Sequence, residues 1–221
     1  MALQLQPAPY AGSRVALATM HGKENAVAQP FRTHLQMQVV VPEFLDTDCF
    51  GSLTGEINRV GSLVETARRK ALQGMEATGL PIGMASEGEF LCTDRGVVGH
   101  EVLVFIDKNR GLELVEEQHA VPTNYRVWTI TSFSELDADL QAVGFPAHRL
   151  TVRPNTGELR GLIFKGVSNR RVLEMAIETA RAHSEDGRAR VETDMRAHQN
   201  PTRMKGISSL ADRLAVRIAE S

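Results

Sequence analysis

The sequence has few cysteines, no long apolar run and almost no net charge, and each of these absences excludes a class of protein. Cys49 and Cys92 are its two cysteines, so the chain cannot build a disulfide framework or a zinc site of several cysteines by itself. No segment approaches the roughly 18 to 20 apolar residues of a membrane helix. Residues 1–13 have neither the basic start nor the apolar centre of a secretion signal. These absences predict a cytoplasmic protein with reduced thiols and no membrane partner.

Charge is nearly balanced over the whole chain, with a formal net charge of −2. Duplex nucleic acid requires a broad positive field, which this composition lacks. Basic residues are grouped locally instead, at 68–70, 170–171, 188–190 and 196–205. We expect such groups to suit a compact polyanion, a small-molecule nucleotide, although a solvated helix face is the alternative at 68–69 and 170–171.

The first part of the chain predicts a strand, a tight turn and a helix. Residues 15–18 are apolar and β-type, the chain turns at His21-Gly22, and a helical sequence follows Lys23. A helix that begins after such a turn has unpaired backbone N–H groups, which can hold phosphate oxygens together with a lysine. The alternative is an ordinary β-turn-α connection with a solvated lysine, since short glycine turns are common.

The next part predicts a helix followed by a strand that ends in acidic residues. Ser62 is a natural N-cap with Glu65 three residues later, apolar residues recur at helical spacing, and Gly79 supplies the stop. The apolar strand 82–85 then ends at Ser86-Glu87-Gly88-Glu89. A carboxylate at this position can face the carboxyl edge of a sheet, where α/β proteins usually bind ligands.

The remaining sequence predicts a long loop and further strands, hairpins and helices. Residues 43–59 form a glycine-rich and acid-rich loop that contains Asp46, Asp48 and Glu56, and loops of this length are often functional. The other predicted elements are strands at 38–41 and 125–130, hairpins at 102–115 and 150–165, and helices at 134–143, 168–183 and from Pro201 onward.

This order of elements predicts the fold class. Alternating β and α come first, hairpins follow and long helices close the chain, which is typical of an α/β fold with a mixed central sheet flanked by helices. We expect two lobes with a central cleft, within a single domain that covers residues 1–221. Residues 1–13 are expected to be a flexible N-terminal segment.

Several of these residues together resemble the inosine triphosphate pyrophosphatase superfamily. The similar positions are Ala18-Thr19 with Lys23, Glu65-Thr66-Ala67 with Lys70-Ala71, Ala77–Pro81 followed by Ala85–Gly88, and Asn200–Met204 before an apolar helix. The resemblance covers both ends of the chain in the right order and leaves about residues 90–185 unmatched. The block from Thr193 to Met204 also resembles an uncharacterised bacterial family of unknown function.

The sequence departs from the superfamily at functional positions. The turn at Met20–Gly22 is one residue shorter than the family's turn and lacks its asparagine. Thr66 and Thr202 stand where the family has an asparagine and a histidine, and Ser86-Glu87 replaces a pair of aspartates, although a related branch uses a single Glu before Gly. These departures favour the alternative of a non-catalytic nucleotide-binding or sensing module.

The resemblance implies a Mg²⁺-dependent enzyme that hydrolyses a nucleoside triphosphate, such as a non-canonical purine nucleotide, to the monophosphate and pyrophosphate. Glu65 and Glu87 are then the expected ligands of Mg²⁺, and Glu87 or Glu89 the expected group that positions water. Lys70 completes the predicted catalytic set. The residues expected to bind substrate are Thr19, His21, Lys23, Asp194, Arg196, His198 and Arg203. A homodimer is common in the superfamily and is expected by analogy.

Ordinary structural roles are the alternative for the residues near the C-terminal end. Asp194 could cap a turn, His198 could be a surface histidine, and Arg203 could pair with an acidic residue. Asn200 and Pro201 are typical of a helix start. A third hypothesis is a nuclease-like metal site built from Asp46, Asp48, Glu87, Asp194 and His198.

Overall fold

A computed structural model describes residues 9–51, 57–94, 96–158 and 161–221 of the protein. The strands are β1 (Arg14–Leu17), β2 (Gln38–Val40), β3 (Ile82–Thr93), β4 (Gly96–Asp107), β5 (Leu112–Pro122), β6 (Val127–Ile130), β7 (Leu150–Pro154), β8 (Phe164–Val167) and β9 (Ala189–Thr193). The α-helices are α1 (Glu24–Leu35), α2 (Leu63–Thr78), α3 (Asp137–Leu140), α4 (Arg170–Ala182) and α5 (Pro201–Glu220). None of the helices in these described ranges combines the length and the apolar character that a membrane crossing needs.

The chain divides into two compact units. Unit 1 consists of Met1–Leu91, Val98–Val121 and Met204–Ser221, and unit 2 consists of Cys92–Val97 and Pro122–Arg203. Each unit contains most of one sheet, and the two sheets have five and four strands.

The larger sheet has the strand order β2-β1-β3-β4-β5. Strand β1 is parallel to both of its neighbours, with Ala16 opposite Val40 of β2 and Gly83 of β3. The links from β3 to β4 and from β4 to β5 are too short for parallel strands, which need a crossover of a dozen or more residues. The sheet is therefore mixed, and the predicted α/β class is confirmed.

Helices of unit 1 cover both faces of this sheet because successive side chains of a strand point to opposite faces. Val102 and Val104 of β4 pack in one apolar cluster with Ala67 and Ala71 of α2. Phe105, on the opposite face, contacts Phe31 of α1 with ring centroids 6.2 Å apart. The prediction of helices that flank a central sheet is therefore confirmed.

Helix α2 begins and ends where the sequence predicts. The Ser62 hydroxyl accepts a hydrogen bond from the Glu65 backbone N–H at 3.2 Å, and the Glu65 carboxylate accepts one from the Ser62 N–H at 2.9 Å. This reciprocal capping box pairs two N–H groups that the helix itself leaves without partners. Gly74 lets the helix lie close to β1, because a Cβ at this position would be 3.1 Å from the Ala18 Cβ.

Strand β3 is longer than predicted, and this changes the position of the acidic residues. The sequence predicts a strand at 82–85 that ends at Ser86, whereas β3 continues to Thr93. Strand β1 stops at Leu17, opposite Met84, but β4 continues beside β3 and supplies partners to its distal half. Glu87 and Glu89 therefore lie inside a strand, where residues two apart share one face.

Tyr10 is the buried residue among residues 9–13 of the segment predicted to be flexible, and residues 1–8 of that segment lie outside the described residues. The Tyr10 side chain is 2% exposed and meets the Phe105 ring edge-on at 5.8 Å. Its hydroxyl donates a hydrogen bond to the Asp107 carboxylate at 3.0 Å. Burial raises the pKa of Tyr10. An apolar ring with one satisfied polar atom is stable in this position.

Unit 2 contains an antiparallel sheet with the order β6-β9-β7-β8. The side chains of Leu150, Val152, Ile177 and Val191 form part of its core, which joins this sheet to helix α4. The central strand β9 is missing from the predicted elements, although Ala189, Val191 and Thr193 alternate with Arg190 and Glu192 as in a half-buried strand. Those two residues are half-buried and Arg190 pairs with Glu192.

Two other predicted elements of unit 2 differ from the structure. The helix predicted at 134–143 is a 3₁₀ turn at Phe133–Glu135 followed by the short helix α3. The hairpin predicted at 150–165 does form, since Leu150 of β7 pairs with Val167 of β8, but the second strand begins at Phe164. Residues 159–160 of the predicted strand lie outside the described residues.

We expect the substitution Ser62→Ala to lower the free energy of unfolding by about 1 kcal/mol, because it removes the hydroxyl that caps α2. Chemical denaturation at neutral pH measures this change. Ser209→Ala is the matched control, since Ser209 is exposed within α5 and alanine is the better helix former there. An equal loss of stability in both variants would contradict the capping role.

The capping box also predicts a dependence on pH. Hydrogen bonds from the Ser62 backbone N–H and hydroxyl hold the pKa of Glu65 below its usual value. A lowered pKa in the folded state stabilises the protein above the usual pKa of a glutamate, about 4.3, and this stabilisation disappears as the pH falls through the lower folded value. The stability difference between the natural chain and Glu65→Gln should therefore shrink in denaturation series from pH 7 to pH 3.

Candidate functional site

The carboxyl edge of β1 is a topological switch point. The chain leaves β1 through α1 to reach β2 on one side, and it returns through α2 to β3 on the other side. Open α/β sheets bind ligands at such a point, where neighbouring connections diverge and leave a crevice. The residues that follow β1 and the residues of β3 beyond Met84 meet at this edge, since the Ala18 N–H donates to the Met84 carbonyl at 3.0 Å.

A tight turn connects β1 to α1, as the sequence predicts. The Thr19 hydroxyl accepts a hydrogen bond from the His21 N–H at 3.2 Å, and Thr19 is buried. Gly22 has a φ of +67°, a conformation that glycine adopts at little cost. Lys23 is the N-cap residue of α1. The turn therefore places the Lys23 side chain beside the start of a helix.

Two buried lysines reach adjacent residues of β3. The Lys23 Nζ donates hydrogen bonds to the Ser86 carbonyl at 2.9 Å and to the Ser86 Oγ at 2.8 Å. The Lys70 Nζ, from α2, donates to Oε1 of Glu87. Lys23 and Lys70 are 7% and 6% exposed. We call Lys23, Lys70, Ser86 and Glu87 the lysine cluster.

Arg59 borders the lysine cluster and is a residue that sequence reasoning missed. Its Nη1 donates to the Glu89 carboxylate at 3.1 Å and its Nη2 donates to the Gly88 carbonyl at 3.3 Å. Its Nε lies 4.0 Å from Oε2 of Glu87. The predicted functional loop at 43–59 was the available signal, but nothing in the pattern of that loop distinguishes Arg59.

Glu65 lies outside the lysine cluster. Its carboxylate is engaged at the start of α2 by Ser62, and its side chain is exposed. Thr66 and Lys70 are buried and lie one turn apart on the inner face of α2, whereas Glu65 is one residue, about 100° of helix rotation, away from Thr66. The two carboxylates predicted to share a magnesium ion, Glu65 and Glu87, are thus not brought together.

The predicted residues His21, Asp46 and Asp48 form a separate small group. His21 Nε2 and Asp48 Oδ1 are 2.9 Å apart, and the Asp46 carboxylate accepts the Asp48 N–H at 2.9 Å. Within the described ranges, Asp46, Asp48 and Glu87 do not form a group of three side chains that could ligate one metal ion. The nuclease-like hypothesis therefore gains no support, and Glu56 lies outside the described residues.

Asp194, in unit 2, has both carboxylate oxygens engaged by its own surroundings. Oδ1 accepts hydrogen bonds from the N–H and the Nε of Arg196 at 3.1 and 3.0 Å, and Oδ2 accepts from the Gly166 N–H at 3.0 Å. The Asp194 side chain is fully buried. These contacts are those of a residue that caps a turn, which was the structural alternative.

Arg203 and His198 also belong to unit 2. The Arg203 Nη1 donates to the Met195 carbonyl at 2.5 Å, and the Arg203 N–H donates to the Asn200 Oδ1 at 3.0 Å. The second bond confirms Asn200 as the residue that caps α5. His198 is exposed. The geometry of unit 2 therefore connects Arg203 to the loop between Met195 and Asn200.

Comparison with known families places part of the chain in a family of unknown function. Residues 70–221 match the model of a family described as a domain of unknown function, DUF6671. No curated protein matches the chain. The match begins at Lys70 and includes Glu87, whereas Lys23 precedes it. Since the match covers more than half of the sequence, the chain belongs to the DUF6671 family, a domain of unknown function.

Proposed function

We propose that this protein binds the phosphate groups of a nucleotide at the carboxyl edge of β1. The observation that carries the proposal is the burial of two lysines, Lys23 and Lys70, on adjacent residues of β3. Burying an ammonium group is costly unless partners or a ligand compensate for its lost hydration. Two such groups in one crevice provide the charge that binds a phosphate.

The charge of the lysine cluster favours an anion as the ligand. Lys23, Lys70 and Arg59 contribute three cationic groups, whereas Glu87 is the buried carboxylate among them. Glu87 lies beside both Lys70 and Arg59, and Arg59 also contacts Glu89, so these three cations and two carboxylates carry a formal charge of +1. A phosphate at the start of α1 would also meet the positive end of the helix dipole.

A buried hydroxyl on α2 supports a polar ligand at the same place. Thr66 is 1% exposed, and its Oγ1 has no hydrogen-bond partner in the part of the chain that the structure describes. Thr66 lies four residues before Lys70, so both side chains occupy one face of α2. An unsatisfied buried hydroxyl costs about 1–3 kcal/mol, and a ligand oxygen would remove that cost.

The ligand that we propose is a nucleoside triphosphate, with a non-canonical purine nucleotide as the first choice. The support is the resemblance of Thr19, Lys23, Lys70 and Ser86-Glu87 to positions of the inosine triphosphate pyrophosphatase superfamily, together with a switch point at β1. We propose the fold of unit 1 as a relative of that superfamily on the same basis.

The described residues do not fit a resident Mg²⁺ ion. Mg²⁺ prefers carboxylate oxygens in octahedral geometry, but Glu65 is engaged at the helix start and Glu87 lies between Lys70 and Arg59. A divalent cation beside these cationic groups would be repelled. We therefore propose that magnesium enters as part of the Mg-nucleotide, with the phosphates as its main ligands.

Hydrolysis of the bound nucleotide is the second candidate function, and the position of Glu87 favours it. In this reaction a water oxygen forms a bond to the α-phosphorus, the bond from that phosphorus to the bridging oxygen breaks, and pyrophosphate leaves. Glu87 is the buried carboxylate able to orient the water and accept its proton. Lys23 and Lys70 would stabilise the negative charge that develops on the phosphates. A module that binds without hydrolysis would use the same lysines.

We expect Lys23→Met to weaken nucleotide binding by about tenfold or more, because it removes one charge-assisted contact, worth roughly 1.5–3 kcal/mol. Methionine keeps a side chain of similar length without the charge. Titration calorimetry with magnesium and inosine, xanthosine, guanosine and adenosine triphosphates measures the affinity. Thermal stabilisation by the same nucleotides is the second readout.

Lys205→Met is the matched control, since Lys205 is an exposed lysine of α5 in unit 1. Its affinity should equal that of the natural chain. Equal affinities in all three proteins, or no saturable binding of any of the four nucleotides to the natural chain, would overturn the proposal of nucleotide binding.

We expect Glu87→Gln to abolish any release of pyrophosphate, because an amide cannot accept the proton of water, and to lower the free energy of unfolding without changing the fold, because Lys70 loses its charged partner. An enzyme-coupled pyrophosphate assay measures turnover, and circular dichroism verifies the fold. Glu113→Gln is the control, since Glu113 is a half-exposed partner of Arg68. Turnover retained in Glu87→Gln would contradict the role of this carboxylate. Nucleotide binding without turnover by the natural chain would exclude hydrolysis and leave the binding function.

A further inference from the structure

Two histidines and two glutamates meet on the larger sheet, apart from the lysine cluster. His100 lies on β4, Glu117 and His119 lie on β5, and Glu89 lies on β3. One nitrogen from each histidine and one oxygen from Glu117 lie within 4.8 Å of one another. We call His100, Glu117 and His119 the histidine cluster. All of its residues belong to unit 1.

The alternation of the strands places the histidine cluster on the face of the sheet that α2 covers. Val102 and Val115 both pack with the apolar residues of α2. His100 is two residues before Val102, and Glu117 and His119 are two and four residues after Val115, so all three share that face. On the face that α2 covers, β4 and β5 thus carry valines next to the helix and histidine or glutamate two residues away.

The distances within the histidine cluster are close to those that a metal ion imposes. The Nε2 atoms of His100 and His119 lie 3.0 and 3.2 Å from the same Glu117 oxygen, Oε2. In a tetrahedral site with bonds of roughly 2.0–2.1 Å, ligand atoms are about 3.3–3.4 Å apart. The third pair of ligand atoms lies within 4.8 Å, so rotation of the side chains would admit an ion between the three atoms.

A second carboxylate orients His100 from behind. The Nδ1 of His100 lies 3.5 Å from the Glu89 carboxylate, while its Nε2 faces Glu117. Arg59 in turn holds the other oxygen of Glu89 at 3.1 Å. Histidines that ligate metals nearly always present their second ring nitrogen to a carboxylate or carbonyl, which fixes the tautomer and the ring orientation. This outer contact is independent of the distances among the three ligand atoms.

From this geometry we propose that His100, Glu117 and His119 bind one divalent transition-metal ion of the zinc class. Two imidazoles with one carboxylate favour zinc and neighbouring transition metals over magnesium, which prefers oxygen ligands alone. His119 is 65% exposed, so a fourth coordination position is open to water or to a small ligand. The site shares none of the four residues of the lysine cluster, and Arg59 lies between the two through its contacts with Glu89 and Glu87.

The alternative is a hydrogen-bonded surface group that never binds metal. The two imidazole rings stack with their centroids 4.0 Å apart, and both can donate to the single Glu117 oxygen without an ion. The two explanations make different predictions for added metal, because a hydrogen-bonded group has no saturable affinity for zinc and no preference for zinc over magnesium.

Titration calorimetry of the full chain with zinc chloride tests the proposal, after treatment with a chelator to remove adventitious metal. We expect one zinc ion per chain and no comparable heat from magnesium chloride. The variants His100→Gln and His119→Gln should each weaken zinc binding by about tenfold or more, since each removes one ligand. Glu89→Gln should weaken it by a smaller factor, because Glu89 acts on His100 and does not touch the ion.

His34→Gln is the matched control. His34 also pairs with a carboxylate, Asp212, at 2.8 Å on the surface of unit 1, but among the described residues it belongs to no group of three metal-ligating side chains. Zinc affinity should be unchanged in this variant. Cobalt substitution gives a second readout, because an ion in a site with two imidazoles changes its visible absorption. The proposal is overturned if the natural chain shows no saturable zinc binding, or if His34→Gln and His119→Gln bind zinc equally.

Discussion

The pairing of β1 with β3 is the constraint on which the site residues of unit 1 depend. The two strands are parallel, and Leu17, the last residue of β1, pairs with Met84 near the start of β3. Strand β3 continues beyond this pair to Thr93. The chain that leaves β1 therefore turns beside the residues of β3 that follow Met84. Lys23 can reach Ser86 for this reason, and Glu87 faces α2 instead of a neighbouring backbone.

The side chains of the lysine cluster depend on one another for polar contacts because they are almost inaccessible to water. Lys70 and Glu87 are 6% and 8% exposed, and removing either partner of a buried pair leaves an uncompensated charge that destabilises the fold by several kcal/mol. Such pairs contribute little net stability compared with apolar residues of similar size. Their presence at the carboxyl edge of β1 is consistent with the proposed nucleotide site, since perturbed buried charges cluster at functional sites.

Sequence analysis correctly predicted the elements of unit 1 whose boundaries are set by residues close to them in the chain. Ser62, Glu65 and Gly79 define α2 through capping chemistry, and the apolar run before His21-Gly22 defines β1 and its turn. The strand β9 was missed because its alternation covers only five residues and includes Arg190 and Glu192, which are also typical of a solvated segment. Its strand identity depends on tertiary pairing with β6 and β7.

The candidate sites were predicted less completely, since they depend on strand length and helix rotation. Lys23, Lys70 and Glu87 were identified from residue types and order, but the same reasoning placed Glu65 with them. A rotation of one helical residue separates Glu65 from the inner face of α2. The histidine cluster was missed because the predicted strand ended at Val115, before Glu117 and His119, whereas β5 continues to Pro122.

The close approach at Gly74 has a consequence for how this protein can change over evolution. Gly74 carries no functional group, yet its missing side chain determines how near the backbone of α2 lies to Ala18. Lys70 is one turn earlier on the same helix, so the separation of helix and strand also determines how far its ammonium group extends over β3. A larger residue at position 74 would increase the distance between α2 and Ala18. The distance between the charges of Lys70 and Glu87 would then change, although residue 74 touches neither of them. Sequence drift at a contact without functional groups can thus change the charge spacing of the proposed binding edge.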